Sequence, residues 1–121
     1  MTQMLPAIKA RPSNDFAAFR CFTNAGAPLP FDVGQQVEAL MGCKVFCIYG
    51  ATDGGVASCT DLADTQEQRL RTVGRAQDGC DIRLVDALDQ AVVPGQSGEI
   101  QFRTAGKSYG YLNDPEASAA A

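Results

Sequence analysis

Between Phe19 and Tyr49 the chain sets two short apolar runs on either side of one amphipathic stretch. That order restricts the fold more than any other feature of the sequence. Phe19–Asn24 alternates as a short strand does, and Ala25-Gly26-Ala27-Pro28 closes it in a small-residue turn. The next segment reads as a helix. Asp32 and Gln35 have the spacing of a capping box, Val33, Val37, Leu40 and Met41 recur on one face, and Gly42 is a natural C-cap. Lys44–Tyr49 follows as a strand buried on both faces. Strand, helix and strand of these lengths form a parallel crossover, because two parallel strands cannot be joined by a tight turn.

The second strand runs into Tyr49-Gly50-Ala51-Thr52-Asp53-Gly54-Gly55. In open α/β sheets the carboxyl end of a parallel strand is where ligands bind. Each residue type there has a use: a ring to stack on a flat heterocycle, a hydroxyl to hydrogen-bond a phosphoryl oxygen, a carboxylate to hold a hard cation. The glycines let backbone and ligand come close. Read from the residues alone, this is a nucleotide or anion site. The plainer reading stays beside it: Tyr49 as a strand-end aromatic packed on a helix, and Thr52-Asp53 as a turn pair.

Composition narrows the chemistry. At 121 residues the chain is long enough for a core, and a net charge of −4 argues against a nucleic-acid surface. No apolar stretch approaches bilayer length, and the N-terminus lacks the apolar block of a secretory signal, so a cytoplasmic location is expected. Five cysteines, an odd number, point to reduced thiols. Cys43 and Cys47 are loosely spaced for a metal pair, and the chain has no histidine to complete one. The same lack removes every Ser-His and Cys-His nucleophile mechanism.

Elsewhere the pattern changes. Met1–Asn14 reads as the tail of something upstream, with Pro6 and Pro12 breaking regular structure. Asp61–Arg71 reads as a surface loop or irregular helix, Asp81–Asp86 as a strand, Asp86–Gln90 and Pro94-Gly95 as turns, and Glu99–Arg103 as a half-exposed strand with Ile100 and Phe102 on one side. The fold class is therefore α/β, a parallel β-α-β unit followed by an antiparallel β portion. Residues 1–71 form the first part, 72–113 the second, and 114–121 a helix opened by Asp114 and Pro115 that stops on alanines as if cut short.

These residues together resemble the adenylate-forming (AMP-binding) superfamily of acyl-CoA synthetases, aryl-acid ligases and peptide-synthetase adenylation domains. Ala25-Gly26-Ala27-Pro28-Leu29 is similar to its adenine-side turn, and Tyr49-Gly50-Ala51-Thr52-Asp53 to its Tyr-Gly-x-Thr-Glu signature. Thr72-Val73-Gly74-Arg75, Gly98-Glu99-Ile100, Gly110-Tyr111-Leu112 and Asp114-Pro115-Glu116-Ala117 follow in the family's order. The resemblance implies an internal piece of the large domain. Its phosphate loop would lie upstream, and its ribose-binding aspartate and small mobile domain downstream.

The resemblance also implies roles. Tyr49 would stack on adenine, with Gly26, Ala27 and Pro28 on the base's other side. Gly50 would border both nucleotide and acid. Thr52 would hydrogen-bond the α-phosphate, and Asp53 would hold Mg²⁺. Gly50, Ala51, Gly54, Gly55 and Val56 would line the acyl pocket. ATP, a carboxylic acid and CoA would be the partners, with no membrane span and no nucleic acid. The implied chemistry is acyl-adenylate formation followed by thioester formation, with turnover not expected of this piece alone. The alternatives are an aryl- or amino-acid adenylating enzyme that loads a carrier protein, and a non-catalytic remnant.

Departures from the family pattern bear on these roles. Asp53 is one methylene shorter than the family's glutamate, which favours a bridging water at the metal. Lys107 and Ser108 replace apolar residues, and Ala76 replaces a proline after Arg75. Glu99 reads as a strand-edge carboxylate and Lys107 as a solvated loop lysine. Arg75 fits an ion pair and a site neighbour equally. Sheet edges and core faces left without partners are expected to make the chain self-associate.

Overall fold

The computed structural model describes residues 2–120. Met1 and Ala121, the outer ends of the two terminal segments read from the sequence, lie outside them. Among the described residues four α-helices, α1 (Leu5–Lys9), α2 (Phe31–Met41), α3 (Gln66–Arg71) and α4 (Pro115–Ala120), accompany six strands, β1 (Cys21–Asn24), β2 (Lys44–Ala51), β3 (Gly55–Cys59), β4 (Arg75–Ala76), β5 (Asp81–Val85) and β6 (Glu99–Arg103). One sheet has the order β1-β2-β3-β4, and β5 and β6 make a second. The chain divides into two compact units. The first holds the stretch up to Tyr49 and Ser58–Arg75, the second Gly50–Ala57 and the stretch from Ala76 onward.

In the first unit β1 and β2 pair in parallel, Cys21 opposite Lys44 and Asn24 opposite Cys47, with α2 as the crossover between them. The α/β class and the crossover expected from the sequence are both present. Val33, Val37 and Met41 on α2 pack with Ile8, Cys43, Val45 and Leu70 into one core. Gly42 ends α2 in the left-handed region at φ 64°, where a side chain would be strained. On β2, Val45 and Cys47 are buried and Phe46 and Ile48 half-buried, so one face is covered more completely than the other.

A polar network ties α2, α3 and β2 together. Arg69, almost wholly buried, donates to Glu38 Oε1 (2.8 Å), the Val45 carbonyl (3.1 Å) and the Asp64 carbonyl (2.6 Å). Glu38 also accepts from the Val45 amide (2.7 Å) and Gln66 (2.6 Å). Burial alone would push the Glu38 carboxyl up. The hydrogen bonds from Gln66, Arg69 and Val45 outweigh it and hold the carboxyl below its ordinary value.

In the second unit β5 and β6 form an antiparallel ladder, Ile82 opposite Phe102 and Leu84 opposite Ile100. Val85 is buried, whereas Ile82, Leu84 and Ile100 stay exposed. Asp86 shapes the turn after β5, its carboxylate accepting from the amides of Leu88 (2.8 Å) and Gln90 (3.0 Å).

Three sequence expectations need correction. Pro6 does not break the N-terminal segment. It lies in the first turn of α1, where a proline removes no intrahelical hydrogen bond. Asp32 does not cap α2: the cap is Pro30, with no side-chain hydrogen bond, and Asp32 falls inside the first turn. The capping box is in the segment read as a loop or irregular helix, where Thr65 and Gln68 cap α3 reciprocally. The sequence reading also missed β3. A connection of only Thr52-Asp53-Gly54 between β2 and β3 requires the strands to run antiparallel.

Candidate functional site

In the first unit the turn Ala25-Gly26-Ala27-Pro28 leaves the carboxyl end of β1, and Tyr49 stands near the carboxyl end of the neighbouring β2, two residues beyond the Asn24–Cys47 register pair. The parallel pairing thus brings Gly26, Ala27, Pro28 and Tyr49 to one end of the same two strands. Gly26, Ala27 and Pro28 are exposed, and Tyr49 is half-buried. Asn24 fixes the turn by donating to the Ala27 carbonyl (3.0 Å). The sequence reading missed this residue, and its signal was the turn preference of an asparagine just before a small-residue segment.

In the second unit Gly50 and Ala51 end β2, Thr52-Asp53-Gly54 makes the turn, and Gly55 and Val56 begin β3. Ala51, Thr52 and Val56 are exposed. The segment after β6 holds this turn at three points. The Ser108 amide donates to the Asp53 carbonyl (2.6 Å), the Thr104 hydroxyl to the Gly54 carbonyl (2.7 Å), and the Tyr111 hydroxyl to Asp53 Oδ2 (2.5 Å). Gly54 lies against the Phe102 ring, and a β-carbon there would come within 2.7 Å of it. A cleft of about 610 Å³ opens beside the turn, lined by Asp53, Glu99, Phe102, Lys107 and Tyr111 among others.

The Tyr111 hydrogen bond, with the amides of Asp53 and Gly54, holds the Asp53 carboxyl below its ordinary value, so it is ionised at neutral pH. The same contact, and the Asp53 charge, push the Tyr111 phenol up. Asp53 supplies an ionised carboxylate, an oxygen donor of the kind a hard cation takes, and Thr52 precedes it in the same turn. Among the described residues no three Asp, Glu, Cys or His side chains cluster as they would to hold a metal ion by themselves. Burial pushes Cys43 and Cys47 up, which keeps both protonated.

Arg75, open between two roles in the sequence, forms an ion pair with Asp64 (3.0 Å). Glu99, Arg103 and Lys107 line the same cleft as Asp53, and Arg103 is paired with Asp81 (2.7 Å). Among the described residues no helix is long and apolar enough to cross a membrane.

The family model of AMP-binding enzymes matches residues 1–112. The chain is 29% identical over 118 residues to a medium-chain fatty-acid–CoA ligase of Escherichia coli, covering 98% of this chain and 20% of that protein. It is 33% identical over 108 residues to a pyochelin synthase of Pseudomonas aeruginosa, covering 88% of this chain and 20% of the relative. The solved benzoate CoA ligase of Burkholderia xenovorans superposes with a TM-score of 0.84 at 27% identity, over 97% of this chain and 23% of that one. The chain therefore spans about a fifth of the length of the curated relatives it matches. With the parallel crossover, the Tyr-Gly-Ala-Thr-Asp signature running from the end of β2 into the following turn, and the matched model in agreement, this chain belongs to the AMP-binding enzyme family.

Proposed function

We propose that this chain is part of an ATP-dependent carboxylic acid:CoA ligase of the cytoplasm. In the first step a carboxylate oxygen attacks the α-phosphorus of ATP, the α–β bridging bond breaks, and pyrophosphate leaves. In the second the CoA thiol attacks the acyl carbonyl, and AMP leaves. Proximity and fixed charge supply catalysis of this kind without a nucleophilic side chain, consistent with a chain that lacks histidine.

The residue roles follow the family signature. Tyr49 stacks on adenine, and Gly26, Ala27 and Pro28 border the base. Thr52 donates to an α-phosphate oxygen, where negative charge builds. Gly50, Ala51, Gly54, Gly55 and Val56 border the acid. Asp53, with Thr52 beside it, holds Mg²⁺, which when bound neutralises phosphate charge. The observation that supports this reading is Asp53 on a turn held at three points, its carboxylate hydrogen-bonded by Tyr111, inside the signature.

Acid-dependent exchange of labelled pyrophosphate into ATP, measured on the intact gene product that carries these residues, tests the first step. No exchange with any of a panel of fatty and aromatic acids would refute it. A second reading, transfer of the acyl group to a carrier protein, is favoured by the 33% identity to a pyochelin synthase. Thioester formed on a carrier protein and not on CoA would establish it instead.

A further inference from the structure

The Gly110-Tyr111 dipeptide and helix α4 have no part in the roles given above, yet they form a continuous brace behind the acidic turn. The Tyr111 amide donates to Ser118 Oγ (2.8 Å), and the Ser118 hydroxyl donates to the Asp114 carbonyl (2.6 Å). The Asp114 side chain caps the helix by accepting from the Ala117 amide (2.9 Å). Gly110, at φ 141°, passes so close to Ser118 that a β-carbon there would stand 2.7 Å from its hydroxyl oxygen. The serine on α4 thus fixes the Tyr111 backbone, and the tyrosine fixes the Asp53 side chain.

We propose that Tyr111 is a positioning residue for Asp53, its hydroxyl holding Oδ2 so that the other carboxylate oxygen is presented to a divalent cation. This rests on the metal role given to Asp53 above. A short aspartate on an exposed turn has several rotamers, and a carboxylate free to swing would meet an ion in only some of them. A hydrogen bond to one oxygen removes that freedom and leaves the second oxygen for the ion. The Ser108 amide and the Thr104 hydroxyl fix the turn by its backbone carbonyls, so the tyrosine is left with the Asp53 side chain alone.

The test is Tyr111→Phe, which removes only the hydroxyl, with Ser118→Ala as a second variant that loosens the tyrosine from behind. Mn²⁺ with ATP serves as the probe, read as paramagnetic broadening of the amide signals of Thr52, Asp53 and Gly54. A low-field, slowly exchanging Tyr111 hydroxyl proton in the wild type, lost in Asp53→Ala, reports the contact independently of any metal. Loss of one charge-assisted hydrogen bond predicts about tenfold weaker Mn²⁺ binding in Tyr111→Phe, with unchanged thermal unfolding. A smaller loss in the same direction is expected for Ser118→Ala. Equal or tighter Mn²⁺ binding in Tyr111→Phe overturns the inference, tighter binding meaning that the phenol competes with the ion. Broadening absent from the wild type, with the hydroxyl proton present, overturns the metal role of Asp53 and the inference with it.

Discussion

Arg69→Met isolates the buried network of the first unit. The guanidinium is about 5% exposed and its partner carboxylate on Glu38 about 10%, so solvent screens the pair little. Methionine preserves much of the side-chain volume but removes the charge and all three hydrogen bonds to Glu38, Val45 and Asp64. Deleting one member of a buried pair typically costs about 3–5 kcal/mol, because the other charge is left uncompensated. Here the Val45 amide and Gln66 still hydrogen-bond Glu38, which places the expected loss near the lower end, about 3 kcal/mol. Glu38→Gln keeps an acceptor for Arg69 and Val45 and should cost less, about 1–2 kcal/mol.

Urea unfolding followed by circular dichroism measures both variants. The double variant should fall short of the summed single losses by about 1–2 kcal/mol, since the two side chains share one interaction. The pH dependence has a definite sign. Glu38 is held below its ordinary value when folded, so its contribution is present above the unfolded-state value and lost as pH falls through the folded one. Wild type should therefore lose stability in acid more steeply than Glu38→Gln. An Arg69→Met protein within about 0.5 kcal/mol of wild type would refute the reasoning, because that is the size of a neutral surface change.

Gly54→Ala should destabilise the chain by about 1–3 kcal/mol in the same assay, since the added carbon must displace the Phe102 ring. Thr65→Ala should cost about 1 kcal/mol through loss of the α3 capping box, and Thr65→Ser should restore most of it. With Ile82, Leu84 and Ile100 exposed on one hairpin, the chain should self-associate in light scattering, and Leu84→Lys should shift it toward monomer; a wild type monomeric at high concentration would count against that. In the intact gene product, Asp53→Asn should raise the Mg²⁺ concentration needed for pyrophosphate exchange, and unchanged Mg²⁺ dependence would remove the metal role.

The first unit was legible because its signals are local and mutually consistent. Val33, Val37 and Met41 repeat at helical spacing, Gly42 marks the stop, and the apolar run after it has nowhere to go but a buried strand. The misreadings came where one residue type serves two positions. Aspartate suits both a helix cap and a helix first turn, and Asp32 took the second while Pro30 took the first. A proline-bearing segment reads as broken unless the proline falls in an opening turn, as Pro6 does. Strand β3 was hidden because Gly55 at its start and the small residues Ala57 and Ser58 within it carry little strand propensity. What holds Gly55–Cys59 in place is its position in the sheet between β2 and β4.

The Thr52-Asp53-Gly54 turn shows the same division on a finer scale. The turn-forming character of Thr52, Asp53 and Gly54 was visible in their residue types. What holds the turn was not visible: its three clamps come from Thr104, Ser108 and Tyr111, about fifty residues away in sequence, one of them, at Ser108, through a backbone amide that any residue but proline carries. Such contacts leave no periodicity and no composition bias. Tyr111 left a trace in the sequence only as part of a Gly-Tyr pair, with no reason attached. The structure supplies one, since a phenol on that strap reaches an acid on the turn, and the preceding glycine lets the strap pass Ser118. An acidic turn next to a thin core, where Val85 is buried but its hairpin neighbours are not, cannot rely on packing for its geometry. It must be held by directional bonds, so changes along residues 104–118 should alter the site without touching the signature.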